Sequence, residues 1–248
     1  QPSWLPEPVL TTSVRMLSQP QIPADQEHIE VELRFEWDEV IEQKLLSFCS
    51  TSSPTETSFE DSYFDNIARK LTLSDYWLRL RGGRWELKYA KDEAGWAAYA
   101  EVKGEDRIRA VLNKELELDL PETVNFGTAL QARGIDAFAV LRTRRRSFDI
   151  SVPCRVDCSG QISVDLDEEM SLGVRVGELE KRMPSDSSTE LVTQCRKELE
   201  VLAADQGLQI YKGGGNKVLQ YLQRYDHGHY QAIMEVQNAK VAKSQRSA

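Results

Sequence analysis

The chain has 248 residues, 40% of them hydrophobic and 29% charged, the balance of an ordinary globular protein of one large or two small domains. A formal net charge of −9 argues against a general nucleic-acid binder, and no apolar run approaches the ~20 residues that span a bilayer. Cys49, Cys154, Cys158 and Cys195 fit neither a disulfide-dense secreted scaffold nor a zinc finger, so they read as free thiols in a reducing compartment.

Residues 1–26 carry Pro2, Pro6, Pro8, Pro20 and Pro23 with little periodicity, and read as a disordered lead-in. The segment holds a single basic residue, Arg15, which counts against an organelle targeting peptide without closing that reading, since the chain does not begin with Met. A single domain is expected over 27–240, followed by a flexible tail at 241–248.

Ile29 to Phe35 alternates strictly. Ile29, Val31, Leu33 and Phe35 point one way, and Glu30, Glu32 and Arg34 the other, as in a strand with one packed face. The two carboxylates stand about 7 Å apart along such a strand. Two readings stay open: a solvated outer face, or the wall of a polar cavity where carboxylates hold a hard cation and an arginine meets an anion.

Asp38 to Phe48 predicts a helix capped by Asp38, with Val40, Ile41, Leu45 and Phe48 as its stripe. Ser50–Ser58 predicts a loop, and Phe59–Asp65 a strand. In Tyr76–Arg81, Trp77, Arg79 and Arg81 share a face. Gly82-Gly83 marks a hairpin into Arg84–Lys88, where Glu86 and Lys88 oppose Trp85 and Leu87. Trp96–Val102 is a further strand carrying Glu101. Asp106–Leu116 and Glu122–Arg133 read as helical or turn-like, the second stopped by Gly134.

Ala137–Ile150 predicts a strand rich in Arg142, Arg144, Arg145 and Arg146, and Gln161–Asp167 a strand with Asp165 and Asp167 on one face. Between Gly173 and Glu180, parity puts Val174 and Val176 with Glu178 and Glu180, and Gly177 suggests a bulge that reverses the register. Ser187–Asp205 is a capped helix with Leu191, Val192, Cys195, Leu199 and Leu202 on its stripe. Gly213–Gly215 turns the chain into helical segments from Lys217 to Tyr225 and from Tyr230 to Val236. His227-Gly228-His229 reads as a helix-boundary loop in preference to a metal site.

Bases and acids fall on different strands. Arg79, Arg81, Lys88 and the Arg142–Arg146 group stand apart from Glu30, Glu32, Asp165, Asp167, Glu178 and Glu180. Surfaces that only confer solubility mix signs more finely. Rows of opposite sign suit a polyanion bound with a divalent cation, the bases gripping phosphoryl oxygens and the carboxylates holding the ion.

These residues also carry a resemblance. Glu30-x-Glu32-x-Arg34 resembles the E-x-E-x-K opening of CYTH domains, the triphosphate tunnel metalloenzymes. Trp77-Leu78-Arg79-Leu80-Arg81 with Trp85-Glu86-Leu87-Lys88 is similar to the W-L-R-x-R and W-E-L-K block of animal thiamine triphosphatases. Val164–Asp167, Val176–Glu180 and Lys217 with Tyr221–Arg224 follow in the order found there. The resemblance implies an α+β fold: an eight-stranded antiparallel β-barrel open as a tunnel, with flanking helices. It implies hydrolysis of thiamine triphosphate to the diphosphate and phosphate with Mg²⁺, or Mn²⁺, as cofactor. Glu30, Glu32, Asp165 and Glu180 would hold metal. Arg79, Arg81, Lys88, Arg145 and Lys217 would bind the triphosphate, with Glu178 near it and Glu101 supporting the basic row. Glu32 and Lys88 would be catalytic, Lys88 on the leaving side. Trp77 would stack on the thiazolium; the other reading of Trp77 is a core residue.

Arg34 departs from the family lysine and offers a planar fork in place of a point charge. It bears on which triphosphate is the substrate, an inorganic or nucleoside triphosphate being the alternative, and it favours a non-hydrolytic polyphosphate-binding module as a further reading; separately, a purely structural barrel with a solvated charged face stays open. A cytoplasmic monomer completes the expectation, with a small-molecule triphosphate as partner and neither nucleic acid nor membrane.

Overall fold

The computed structural model describes residues 28–49, 53–90, 98–151, 162–211 and 216–247. In chain order the elements are β1 (His28–Glu36), α1 (Glu39–Leu46), β2 (Thr55–Asp65), α2 (Lys70–Leu73), β3 (Tyr76–Arg81), β4 (Arg84–Ala90), β5 (Ala98–Lys103), α3 (Glu105–Leu116), α4 (Phe126–Ala132), β6 (Asp136–Ile150), β7 (Ile162–Glu169), β8 (Val174–Pro184), α5 (Thr189–Asp205), β9 (Gln209–Ile210), α6 (Lys217–Tyr225) and α7 (His227–Ser247). Strands pair in the order β5-β4-β3-β2-β6-β7-β8-β1, and β5 also pairs with β1. Every pairing is antiparallel, so eight strands close into a barrel, as expected. β9 adds a short extra strand at the Phe35–Glu36 end of β1.

Most of the apolar faces lie on the outside of the barrel beneath helices, while α6 packs on inward-facing residues and reaches the cavity with Lys217 and Val218. Ile29, Val31, Leu33 and Phe35 are at most 3% exposed and pack with Leu45 of α1 and Cys195, Leu199 and Leu202 of α5. Fully burying such a side chain contributes roughly 1.5–3 kcal/mol. A second cluster joins α3 and α4 to Leu78, Leu87 and Val102, and a third joins α6 and α7 to Trp77, Ala139 and Leu141. The other face of β1 is buried too, with Glu30 at 2% and Glu32 at 3% exposure. That excludes the solvated-face reading: these carboxylates point into the barrel.

Local chemistry sets the joints. Asp38 accepts a hydrogen bond from Ile41 N at 2.9 Å, and Ser188 caps α5 through Leu191 N. Gly82 and Gly83 both adopt positive φ, as a two-residue hairpin requires.

Some expectations change. β2 begins at Thr55, inside the expected loop, because β6 is fifteen residues long and pairs with it as far as Ser147. Val40 and Leu191 are 73% and 53% exposed, so neither belongs to its helix stripe. His227 and His229 lie in the first turn of α7, not in a loop, and His229 is buried against Thr72 Oγ1 at 2.7 Å. α7 stays helical to Ser247, past residue 241, since no Gly or Pro follows Gly228 to stop it.

There is no bulge at Gly177 either. β8 runs in unbroken register past both neighbours, with Gly177 opposite Phe35. A Cβ at Gly177 would lie 2.3 Å from Phe35 Cε2 and Cζ, so the glycine makes room for that ring. The expected lead-in, Trp96, Cys154, Cys158 and the Gly213–Gly215 turn lie outside the described residues. No described helix is long and apolar enough to cross a membrane.

Candidate active site

The barrel encloses a cavity of about 140 Å³ lined by Glu30, Arg34, Arg79, Arg81, Lys88, Glu101, Arg145, Glu178, Glu180 and Lys217 among others. It thus brings together residues from β1, β3, β4, β5, β6, β8 and α6 that the sequence spreads from position 30 to 217. Each strand turns one parity inward, and register decides which charges meet.

The β1–β8 ladder carries the informative anomaly. On its inner face Glu30 stands opposite Arg182 and Arg34 opposite Glu178, but Glu32 stands opposite Glu180. Like charges directly across a ladder destabilise it. A second like pair, Asp165 opposite Glu178 on β7–β8, is relieved by one guanidinium: Arg145 pairs with Asp165 and lies 3.4 Å from Glu178. Among the described residues no such shared base joins Glu32 to Glu180. Instead Glu30, Glu32 and Glu180 each offer a carboxylate oxygen within 4.8 Å of the others. Burial first, and then the neighbouring Glu30 carboxylate, push the Glu180 carboxyl up to about 7. Three crowded hard oxygen donors fit one divalent cation of the magnesium, manganese or calcium type.

Asp165 lies outside this triplet. It pairs with Arg145 and accepts from Ser147 Oγ at 2.5 Å, and burial raises its carboxyl above the ordinary range.

Lys88 spans the acids. Its Nζ pairs with Glu30 and lies 3.3 Å from Glu32 and 3.8 Å from Glu101. Burial opposes its charge, but those carboxylates outweigh burial and push the ammonium well above its usual value. Burial would raise Glu30, yet Lys88 and a hydrogen bond from His28 at 3.1 Å hold it well below the carboxylate range. Arg34 pairs with Glu32 and, at 3.2 Å, with Glu178.

The remaining bases are each held by an acid. Arg79 binds Glu86 at 2.6 Å, and Arg81 donates two bonds to Asp61, both 2.6 Å. Arg145 donates to both oxygens of Asp167 at 2.6 and 2.7 Å, and Lys217 pairs with the same carboxylate. Burial outweighs Asp167 and leaves the Lys217 ammonium below its ordinary value. The rows of opposite sign are therefore interlocked, not segregated. Of the Arg142–Arg146 group only Arg145 turns inward: Arg142, Arg144 and Arg146 pair with Glu60, Glu168 and Glu42 on the other face.

One end of the cavity is aromatic, lined by Tyr63, Trp77, Tyr99 and Val218. Trp77 is 8% exposed and belongs both to the cavity wall and to the core beneath α6 and α7. Sequence reasoning missed Asp61, Glu86 and the role of Asp167 as anchors of the basic residues, although their inward parity was readable. It also missed Phe59, whose ring lies 3.9 Å from Arg81 Cζ, 5.3 Å from Arg145 Cζ and 5.8 Å from Lys217 Nζ. Phe59 shares the parity of Asp61 and Tyr63, which was the available signal.

Comparison with known proteins accords with this geometry. The CYTH domain matches residues 28–211. Thiamine-triphosphatases of Homo sapiens and Macaca fascicularis are 29% and 28% identical to the chain over 217 residues, 86% of this chain and 92% of each relative. The solved structure of the PH1819 protein from Pyrococcus horikoshii OT3 superposes with a TM-score of 0.50 at 19% identity, covering 79% of this chain and 98% of that one.

Proposed function

This chain belongs to the CYTH domain family, and from that premise we propose that it is a metal-dependent triphosphatase that hydrolyses thiamine triphosphate to thiamine diphosphate and phosphate. The observation that carries the reading is the Glu32–Glu180 like pair facing Lys88 within a base-lined cavity of the barrel. Magnesium is the metal proposed, with manganese as a substitute; Glu30, Glu32 and Glu180 would hold it, while Asp165, expected from the sequence to be a fourth ligand, is engaged by Arg145 and Ser147 instead. When bound, the metal supplies neutralisation of charge on the phosphoryl oxygens.

The protein's own groups do the rest. Arg79, Arg81, Arg145 and Lys217 exchange their carboxylate partners for phosphoryl oxygens and fix the chain of phosphates. The anchors Glu86, Asp61 and Asp167 keep the forks aimed inward while the cavity is empty of substrate. Lys88 is held firmly charged by three carboxylates. Placed there, its ammonium stabilises the charge developing on the leaving diphosphate. Trp77 offers its face to the thiazolium, a contact of roughly 0.5–2 kcal/mol.

Phosphate release is the test, measured on thiamine triphosphate, inorganic triphosphate and ATP with Mg²⁺, with Mn²⁺ and with EDTA. Metal-dependent release with the highest kcat/KM on thiamine triphosphate, abolished in folded Glu32→Gln, is expected. A higher kcat/KM on inorganic triphosphate or ATP would reassign the substrate, and release unaffected by EDTA would remove the metal. One observation favours a second reading. Arg34 already engages Glu32, a proposed metal ligand. Tight triphosphate binding without release under either metal would make the protein a polyphosphate-binding module.

A further inference from the structure

We infer that Asp75 is a specificity-determining residue: from behind the aromatic end of the cavity, its carboxylate selects triphosphate esters whose organic group is a flat cation. The inference rests on the proposed triphosphatase reading for the phosphate end of the ligand and on separate observations for the other end.

Asp75 sits in the turn just before β3. Its Oδ1 accepts from Trp77 Nε1 at 2.8 Å and from Tyr99 OH at 3.4 Å. Both rings line the cavity, while Asp75 itself stands behind them. One carboxylate therefore fixes the tilt of two aromatic faces that come from different strands, β3 and β5.

Charge balance makes the position unusual. Glu30, Glu32, Glu86, Glu101, Glu178, Glu180, Asp61, Asp165 and Asp167 each have a lysine or arginine within 4.0 Å. Among the described residues Asp75 forms no such ion pair. It is only half-buried, and its negative charge stands directly behind the aromatic wall, where the nearest cations, Arg34 beside Tyr99 and Arg79 beside Tyr63, act on the rings and make no ion pair with Asp75. A charged acceptor on an indole N–H also makes the ring face more negative, which strengthens its attraction for a cation. The same charge repels phosphoryl oxygens, so it sets the direction of entry: phosphates toward Arg79, Arg81 and Arg145, the cationic group toward Trp77 and Tyr99.

The backbone limits which variant is informative. Asp75 has φ +67°, a conformation that Asn tolerates and Ala does not. Asp75→Asn keeps an acceptor oxygen for Trp77 and removes only the charge. Two measurements on wild type and Asp75→Asn separate the possibilities. The first is kcat and KM for thiamine triphosphate, ATP and inorganic triphosphate. The second is calorimetric binding of thiamine itself, which carries the cation without phosphates, and so tests Asp75 whether or not the protein hydrolyses anything.

The expected result is about a fivefold rise in KM for thiamine triphosphate and in Kd for thiamine, with kcat nearly unchanged. KM for inorganic triphosphate stays the same or falls. Equal losses on all three substrates would assign Asp75 a structural role and overturn the inference, as would unchanged thiamine binding in the variant or none in the wild type. Thiamine binding that weakens in Asp75→Asn, in a protein that releases no phosphate, would support the cation subsite and refute the triphosphatase reading instead.

Discussion

Replacing Gly177 by alanine adds one methyl group where there is no space for it. The new Cβ would stand 2.3 Å from two atoms of the Phe35 ring and 2.8 Å from a third, whereas carbon atoms rest at about 3.5–4.0 Å. The ring must retreat by more than an ångström, yet Phe35 is 0% exposed and packed under α1 and α5. Overpacking of this kind costs typically 1–3 kcal/mol, and the rigidity of a ring clamped between two strands argues for about 2–3 kcal/mol. For a domain of this size that lowers Tm by roughly 5–10 °C. Phe35→Leu alone should cost about 1–2 kcal/mol through the cavity it leaves. In Gly177→Ala/Phe35→Leu the smaller side chain accepts the methyl group, so the double variant should be less destabilised than the two losses added together, by at least 0.5 kcal/mol. Guanidinium denaturation followed by circular dichroism, with m unchanged, measures all three variants. Gly177→Ala within 0.5 kcal/mol of wild type, or strict additivity, would refute the idea that the glycine exists to seat the ring.

Four further outcomes are expected. Phe59→Leu should raise KM for triphosphate about three- to tenfold, with Phe59→Tyr restoring it, because the ring is shared by three cations; steady-state kinetics on both variants checks this. Arg34→Lys should lower the half-saturating Mg²⁺ concentration severalfold by loosening the bond to Glu32, read from a metal titration of phosphate release. Glu180→Gln should raise the same concentration at least tenfold, since one donor of three is neutralised; an unchanged titration would take Glu180 out of the metal site. Burial pushes the Cys195 thiol up to about 11, so at pH 8 it is almost wholly protonated. Mass-spectrometric mapping should find it unalkylated by iodoacetamide in the native protein and alkylated in guanidinium.

The inner and outer faces of β1 were legible because a strand has period two and the alternation there is unbroken. The same logic put Trp77, Arg79 and Arg81 on one face and Glu86 and Lys88 on another. Parity says which way a side chain points, but not what it meets. That Glu32 faces Glu180, that Arg79 is anchored by Glu86, and that Asp165 answers to Arg145 depend on cross-strand register, and no single strand carries that information. Arg142, Arg144 and Arg146 drew attention as a basic run; alternation alone would have sent all three outward and left Arg145 inside. α2 and β9 span four and two residues, too short for any period to appear. At Gly177 the pattern suggested an irregular strand because the sequence does not show the aromatic ring opposite it.

Ring closure has a temporal consequence. Glu32 and Glu180 meet across adjacent strands though roughly 150 residues separate them, and the seam between β1 and β5 is only the His28–Val31 stretch. A ribosome adding about 5–20 residues per second needs on the order of 10 s to deliver β8 after β1 has emerged. Throughout that interval the first strand is an open hydrogen-bonding edge, apolar on one side and acidic on the other. Charges on an edge strand disfavour pairing with another chain, so Glu30 and Glu32 would guard this edge until β8 arrives. Removing their charge should then lower the yield of folded protein during synthesis by more than it lowers the equilibrium stability of the finished barrel.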